Sequence, residues 1–174
     1  KTTIARILAK CLNCATGVSS EPCGKCASCL EIAEGRSIDL LEVDAASRTK
    51  VGDTRELLEN VQYEPTRSRY KVYLIDEVHM LSAHSFNALL KTLEEPPPHA
   101  IFILATTEIH KIPATVLSRC QRHEFRRIPV NDIVAQLHKL ASTEKLEVEE
   151  DALTLVARQA TGSLRGWPET SRNL

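Results

Sequence analysis

The sequence predicts an α/β fold in which helices flank a parallel sheet, followed by a second, purely helical domain. Up to residue 128, short apolar segments alternate with longer amphipathic ones. Such alternation is typical of strands and helices arranged around a parallel sheet. After Pro129 only the helical period of apolar residues continues. We therefore expect two domains, at 1–128 and 129–174.

Four segments are predicted to be strands because they are short, mostly apolar and bounded by polar residues. They are residues 39–43, 72–75, 101–105 and 124–128. The second contains no charged residue, as expected for a strand that is buried on both faces, and it runs directly into Asp76 and Glu77.

Helices are predicted where apolar residues recur at spacings of three and four. These segments are 3–12, 51–61, 85–94, a short helix from Pro113, 131–143 and 150–160. The expected buried stripe of the first helix is Ile4, Ile7, Leu8, Cys11 and Leu12. Prolines at 96–98 stop the third helix, and a glycine at 162 ends the last.

The composition is that of an ordinary protein with a real core. The chain has 174 residues, with 22 basic and 23 acidic side chains and a net charge of -1. Contact with nucleic acid would therefore need a local basic patch. The apolar runs are far shorter than the roughly 20 residues that span a bilayer. The chain starts at Lys1 without a signal peptide, so we expect an internal fragment of a soluble, cytoplasmic protein with no membrane contact.

Four of the six cysteines lie in one short window, spaced C-x8-C-x2-C-x2-C. They are Cys14, Cys23, Cys26 and Cys29. Four thiolates at such spacing suit a structural, tetrahedral zinc ion. Disulfides and an iron–sulfur cluster are the alternatives, and the cluster is disfavoured because no x3-C-P follows. Cys11 and Cys120 are expected to be packing residues.

The apolar segment that ends in Asp76 and Glu77 indicates a nucleotide site. The strand end would hold both carboxylates at the edge of the sheet where nucleotides bind in such folds. Asp76 would hold Mg²⁺, and Glu77 would activate the water that attacks the γ-phosphate. The alternative is an ordinary acidic pair where a strand meets a loop.

Lys1 and Thr2, which open a helix, have the form of the last two residues of a phosphate-binding loop. Lysine would contact the β- and γ-phosphates, and the threonine hydroxyl would contact Mg²⁺. The pair is weak evidence alone and gains weight from Asp76 and Glu77 downstream. The preceding glycines are absent, so we expect the chain by itself to bind nucleotide poorly.

Basic residues form two groups. The basic residues Arg48, Lys50 and Arg55, together with Thr49, surround the start of the predicted helix at 51–61, where they could meet a phosphate; from the residues alone, a solvated loop is the favoured alternative. Arg67, Arg69 and Lys71 are expected to form a solvated face. His79, three residues after Asp76, is expected to lie near the site and to support its residues or pack against them rather than act in catalysis.

Several segments together closely resemble the AAA+ ATPase motor of bacterial clamp loaders. They are DAASRTKV, VYLIDEVHML, SFNALLKTLEEPP, ILATTE and IPATVLSRC, and the resemblance runs from Lys1 to about Arg165. It implies an AAA+ P-loop NTPase core without its first strand and P-loop glycines, an inserted zinc module at 14–29, and part of a helical lid at 129–174. The implied ligands are ATP, Mg²⁺ and Zn²⁺.

The same resemblance implies a function and partners. ATP hydrolysis would drive the loading of a sliding clamp onto primed DNA, within an oligomer that includes other clamp-loader subunits. The region at 48–55 would face the DNA backbone. A non-catalytic subunit or a zinc-bearing interaction module is the alternative, and a related AAA+ machine with another client is a third.

The resemblance also assigns roles by position. Lys1 and Thr2 match the end of the Walker A motif, and Asp76 and Glu77 match Walker B. Thr107 matches sensor 1, Arg119 the arginine finger that acts in trans, and Arg165 the sensor-2 arginine. From the residues alone, Arg119 would be a cation at a helix end. The segment Gly166 to Pro168 departs from the family pattern, which puts the placement of Arg165 in doubt.

Overall fold

The computed structural model describes residues 1–47, 60–144, 146, 148–160 and 162. The chain divides into two compact units, Lys1–Arg122 and a second that begins at His123. This division precedes Pro129, where the sequence pattern changes. Among the described residues, no helix has the length and apolar character needed to cross a membrane.

The first unit is built on a parallel sheet of three strands. Strand β1 is Leu40–Asp44, β2 is Lys71–Asp76 and β3 is Ala100–Leu104, in the order β1-β2-β3. Three of the four predicted strands are thereby confirmed. Because Asp44 pairs with Asp76 and Ile75 with Leu104, the three strands end at the same edge of the sheet.

Helices pack on both faces of this sheet. They are α1 (Thr2–Asn13), α2 (Ala27–Ala33), α3 (Ala83–Glu94) and α4 (Ala114–Leu117). Short 3-10 turns lie at Asn60–Gln62, Val78–Met80 and Ile109–Lys111. Ser82 caps α3, since its hydroxyl accepts a hydrogen bond from the Ser85 N–H at 3.1 Å. Pro113 precedes α4 directly and fits the predicted helix start.

Alternate residues of β2 enter different hydrophobic clusters, as the two-residue period of a strand requires. Val72 and Leu74 pack with α1 and α2, whereas Ile75 packs with α3 and α4. Tyr73 is fully buried against Phe102, with ring centroids 5.1 Å apart. Strand β2 is therefore buried on both faces, as its apolar sequence predicted.

The predicted buried face of α1 was wrong. Ile4, Ile7 and Leu8 are exposed, and the buried residues of this helix are Ala5, Ala9 and Asn13. Small alanines let the helix approach the sheet closely. The Asn13 side chain donates to the Tyr70 carbonyl and accepts from the Tyr70 N–H, both at 2.9 Å. The alanines and the hydrogen bonds of Asn13 determine which face of α1 is buried. Neither is visible in the spacing of large apolar residues.

The strand predicted at 124–128 was also wrong, because residues 121–129 form no regular element. Phe125 is 61% exposed. Ile128 makes one backbone hydrogen bond, from its N–H to the Gly162 carbonyl at 3.2 Å. A strand needs a neighbour that offers a whole row of backbone partners, and within the described residues none lies beside this segment.

Among the described residues of the second unit there are two helices, which confirms the helices predicted at 131–143 and 150–160. They are α5 (Val130–Thr143) and α6 (Glu150–Gln159). Their shared core consists of Ile133, Leu137, Leu153, Val156 and Ala157. Most of the helix predicted at 51–61, residues 51–59, lies outside the described residues. The tail after residue 162 also lies outside them.

Asp39 is the buried charge that shapes the loop before β2. It is 3% exposed, and its carboxylate accepts hydrogen bonds from three successive N–H groups. These come from Thr66 at 2.7 Å, Arg67 at 3.0 Å and Ser68 at 2.8 Å. Burial by itself raises the pKa of Asp39, but the three N–H donors outweigh it and the pKa is lowered.

Replacing Asp39 should destabilise the chain in a pH-dependent way. We expect Asp39→Ala to lower the free energy of unfolding by about 1–3 kcal/mol at neutral pH, because three backbone N–H groups lose their charged, buried acceptor. The folded pKa is depressed, so this stability is present above the unfolded pKa of about 3.9 and is lost as the pH falls through the folded value. Urea unfolding at several pH values measures both effects. A difference between variant and wild type that does not shrink in acid would contradict this account.

Candidate nucleotide and metal sites

The first site lies where α1 begins beside the end of β2. The Thr2 hydroxyl donates a hydrogen bond to Asp76 Oδ2 at 2.7 Å, across 74 residues of sequence. The other carboxylate oxygen of Asp76 accepts from the Glu77 N–H at 3.0 Å. The structure thus brings together Thr2, Asp76 and Glu77, as the sequence predicted for a nucleotide site.

Glu77 has an unusual backbone conformation, with φ 48° and ψ 43°. This left-handed region costs a non-glycine residue roughly 1–2 kcal/mol, and such strain is concentrated at functional sites. Its Oε2 atom accepts from the Thr107 hydroxyl at 3.0 Å and from the Thr107 N–H at 3.3 Å. The Walker B and sensor-1 candidates are therefore in direct contact.

His79 lies beside this site, as its position in the sequence suggested. Its imidazole contacts the Thr106 hydroxyl through Nδ1 at 2.9 Å and also approaches the carboxylates of Glu77 and Glu108. Its position three residues after Asp76 indicated that it lies near the site. Its contacts with Thr106 and Glu108, in the loop after β3, are visible only in the structure.

Arg119 is not brought to these carboxylates. Its Nη1 donates to the Thr115 carbonyl at 2.7 Å, and its Nη2 pairs with Glu94 Oε1 at 2.8 Å. Lys1 is exposed at the start of α1. The other candidates lie outside the described residues; they are Arg48, Thr49, Lys50, Arg55 and Arg165.

The second site is the four-cysteine cluster. All four Sγ atoms, of Cys14, Cys23, Cys26 and Cys29, lie within 4.8 Å of one another. Cys14 follows α1, Cys29 lies in α2, and Gly24 turns the intervening loop with φ 69°. Zn–S bonds of about 2.3 Å in a tetrahedron separate the sulfurs by roughly 3.8 Å, so the donor set fits one zinc ion.

The thiols of this cluster differ in acidity. The Thr16 hydroxyl at 3.0 Å, together with the Cys23 N–H at 3.3 Å, lowers the pKa of Cys14 to about 6. The Ala15 N–H likewise lowers the pKa of Cys26. Burial raises the pKa of Cys29 to about 12. Hydrogen-bond donors thus favour the thiolate, the form that binds metal, at two of the four positions.

Arg69 secures the cluster to the core and was missed by the sequence analysis. Its guanidinium donates to the Cys14 carbonyl at 2.7 Å and to the Leu12 carbonyl at 3.4 Å, both at the end of α1. Lys71 also has a partner, the Asn60 carbonyl at 2.9 Å. Of the three basic residues expected on a solvated face, Arg67 and Arg69 are exposed, although Arg69 also makes these hydrogen bonds, and Lys71 is half-buried.

The parallel sheet and the hydroxyl–carboxylate contact at its edge define an AAA+ P-loop NTPase core with a four-cysteine cluster. The fold is similar to that of the RuvB Holliday junction branch migration motor of Thermotoga maritima, with a TM-score of 0.60. The likeness covers 77% of this chain and 44% of that one at 22% identity, so it concerns the fold alone. A DNA polymerase III gamma subunit-related protein of the same organism gives a TM-score of 0.50 and 23% identity, over 78% of this chain and 49% of that one.

Family models divide the chain much as its sequence pattern does. Residues 1–129 match the DNA polymerase III delta subunit model, and residues 132–166 match the ATPase lid domain of the DNA polymerase III clamp loader subunit. The chain is 61% identical to the tau subunit of Escherichia coli and 52% identical to that of Bacillus subtilis. Each match covers 95% of this chain, which spans 26% and 29% of those relatives. The chain belongs to the tau/gamma family of DNA polymerase III clamp-loader subunits.

Removing the Arg69 side chain should loosen the attachment of the cysteine cluster. We expect Arg69→Ala to lower the free energy of unfolding by about 1–2 kcal/mol, because two carbonyls at the end of α1 lose a charged donor. Arg67→Ala is the matched control and should change it by less than about 0.5 kcal/mol. Equal effects of the two substitutions in urea unfolding would contradict the role of Arg69.

Proposed function

We propose that this chain supplies the ATP-binding and ATP-hydrolysing machinery of a DNA polymerase III clamp-loader motor subunit. Its core would be residues 1–128 and its lid residues 129–174. The observation that carries the proposal is the Thr2–Asp76 hydrogen bond beside Glu77. It brings the hydroxyl expected at the end of a phosphate-binding loop to the carboxylate expected on Mg²⁺.

The donor atoms at this edge suit a magnesium nucleotide. A hydroxyl and a carboxylate are hard oxygen ligands of the kind that Mg²⁺ prefers. Thr2 and Asp76 would hold the ion, and Lys1 would contact the β- and γ-phosphates. When bound, the ion would neutralise charge on the phosphates.

Glu77 is the proposed catalytic base. Its carboxylate would accept a hydrogen bond from the attacking water and orient it toward the γ-phosphate. Thr107, whose hydroxyl donates to Glu77 Oε2, would act as sensor 1 by exchanging this contact for one with the nucleotide. The contact supports a direct link between the state of the nucleotide and the position of the base.

Arg119 is the proposed finger for a neighbouring subunit. Its partners in this chain are the Thr115 carbonyl and Glu94, and its exposed pair with Glu94 leaves it accessible to a neighbour. Two further assignments rest on the family resemblance. They are Arg165 as sensor 2, and Arg48, Thr49, Lys50 and Arg55 as contacts to the backbone of primed DNA.

The assembly proposed for the whole subunit follows the family as well. The subunit would join other clamp-loader subunits in a hetero-oligomer, bind the sliding clamp and place it on primed DNA. The four cysteines would hold a structural Zn²⁺. A closed set of four thiolates leaves no open position for a substrate, and the ion would supply a rigid cross-link between α1 and α2.

The proposed function is tested by Glu77→Gln in a full-length tau/gamma subunit that carries this sequence, assembled with its partner subunits. We expect unchanged ATP affinity and a fall in kcat of about 10²- to 10⁴-fold, because an amide cannot take the proton of the water. Glu64→Gln removes an exposed carboxylate and is the matched control.

Adding clamp and primed DNA separates the parts of this proposal. Stimulated hydrolysis in the wild type supports a clamp-loading motor, whereas hydrolysis indifferent to both would retain the ATPase and reject the clamp as client. Undiminished turnover in Glu77→Gln would reject the catalytic base, and no turnover in the wild-type oligomer would favour a non-catalytic subunit.

Metal analysis tests the zinc proposal. We expect one zinc and no iron per chain, because four thiolates at these distances form a closed tetrahedral site. Cys26→Ser should lose the metal, whereas Cys11→Ser, outside the cluster, should retain it. Iron in the preparation, or full zinc content in Cys26→Ser, would overturn the assignment.

A further inference from the structure

His79 lies in the turn that follows Glu77, and its side chain is only 6% exposed. Its two ring nitrogens face in different directions. Nδ1 lies 2.9 Å from the Thr106 hydroxyl and 3.4 Å from Glu77 Oε2, while Nε2 lies 3.4 Å from Glu108 Oε1. A side chain that only filled space here would not need a polar ring between two carboxylates.

These contacts join the two segments that form the site. Thr106 and Glu108 belong to the loop after β3, where the Thr106 hydroxyl also accepts from the Glu108 N–H at 3.0 Å. The backbone adds a parallel link, since the Val78 N–H donates to the Ala105 carbonyl at 3.0 Å. The imidazole of His79 therefore cross-links the turn that carries Glu77 to the loop that carries Thr107.

The far end of this cross-link is itself held. Glu108 Oε2 pairs with Lys111 Nζ at 2.7 Å and approaches His110 Nε2 at 3.6 Å. The hydrogen bond from Lys111 lowers the pKa of Glu108, which keeps its carboxylate charged near neutral pH. Glu108 is thus a fixed, negatively charged anchor for the imidazole.

We infer that His79 is a positioning residue for Glu77. Together with Thr107 it holds Oε2 of Glu77 against the loop after β3 and leaves Oε1 free to accept a hydrogen bond from the attacking water. Displacement of a catalytic group by about 1 Å can cost on the order of 100-fold in rate, so a cross-link at this point affects turnover directly. The inference rests on the proposed role of Glu77 as base.

The two ring nitrogens can be tested separately. The amide nitrogen of asparagine occupies the place of Nδ1, and that of glutamine the place of Nε2. His79→Asn therefore keeps a polar nitrogen beside Glu77 and Thr106, and His79→Gln keeps one beside Glu108. His84→Asn, at an exposed histidine of α3 that belongs to neither of the two segments, is the control.

Steady-state ATP hydrolysis is measured in the assembled full-length subunit. We expect His79→Gln to lower kcat by about 10- to 100-fold with unchanged KM, and His79→Asn to stay within about threefold of wild type. The melting temperatures of the two variants should agree closely. A His79→Gln variant with wild-type kcat, or variants whose kcat falls only in proportion to lost folded protein, would overturn the inference.

Glu77→Gln distinguishes this failure from failure of the proposed function. If Glu77→Gln lowers kcat to the expected residual level and adding His79→Gln to it lowers kcat no further, His79 acts through Glu77. If Glu77→Gln lowers kcat as expected while His79→Gln alone has wild-type kcat, only the positioning role is lost. If Glu77→Gln hydrolyses ATP normally, the catalytic base itself is rejected.

Discussion

Strand β2 is paired with a parallel neighbour on each edge, and this pairing determines where the chemistry is placed. The register sets the end of β2 level with the ends of β1 and β3. Burial on both faces fixes the strand, so Asp76 and Glu77 leave the sheet at a defined point. The loop after β3 starts beside that point, which explains how Thr107 reaches Glu77 without any further element.

Helix α1 connects the two sites, because one of its ends lies at each of them. Thr2 at its start contacts Asp76, and Cys14 just beyond its end belongs to the cysteine cluster. Asn13 pairs with the backbone of Tyr70, and Arg69 holds the Cys14 carbonyl, so the end of the helix is fastened to the segment that leads into β2. Under the proposed function, zinc would stabilise the helix that presents the magnesium ligand.

The sequence predicted the features that depend on local pattern and missed those that depend on partners. Strand β2 and its acidic end could be predicted from the apolar run alone. The candidate metal site could be predicted from the cysteine spacing and the chemistry of thiolates. The buried face of α1 depends on close packing at Ala5 and Ala9, which carry a weak hydrophobic signal. The segment 124–128 has the composition of a strand, but within the described part of the chain no strand lies beside it. Arg69 has partners that are distant in sequence.

The groups proposed for catalysis differ in how firmly this chain holds them. Thr2, Asp76, Glu77 and Thr107 are joined by hydrogen bonds between elements of one core, so their arrangement exists in a single subunit. Arg119 is held by an exposed hydrogen bond to the Thr115 carbonyl and by an exposed ion pair with Glu94, and such ion pairs contribute only about 0–1 kcal/mol. The triphosphate of a neighbouring subunit, with several negative charges, would compete with one carboxylate at little cost. An arginine held this weakly suits a proposed motor whose hydrolysis depends on assembly.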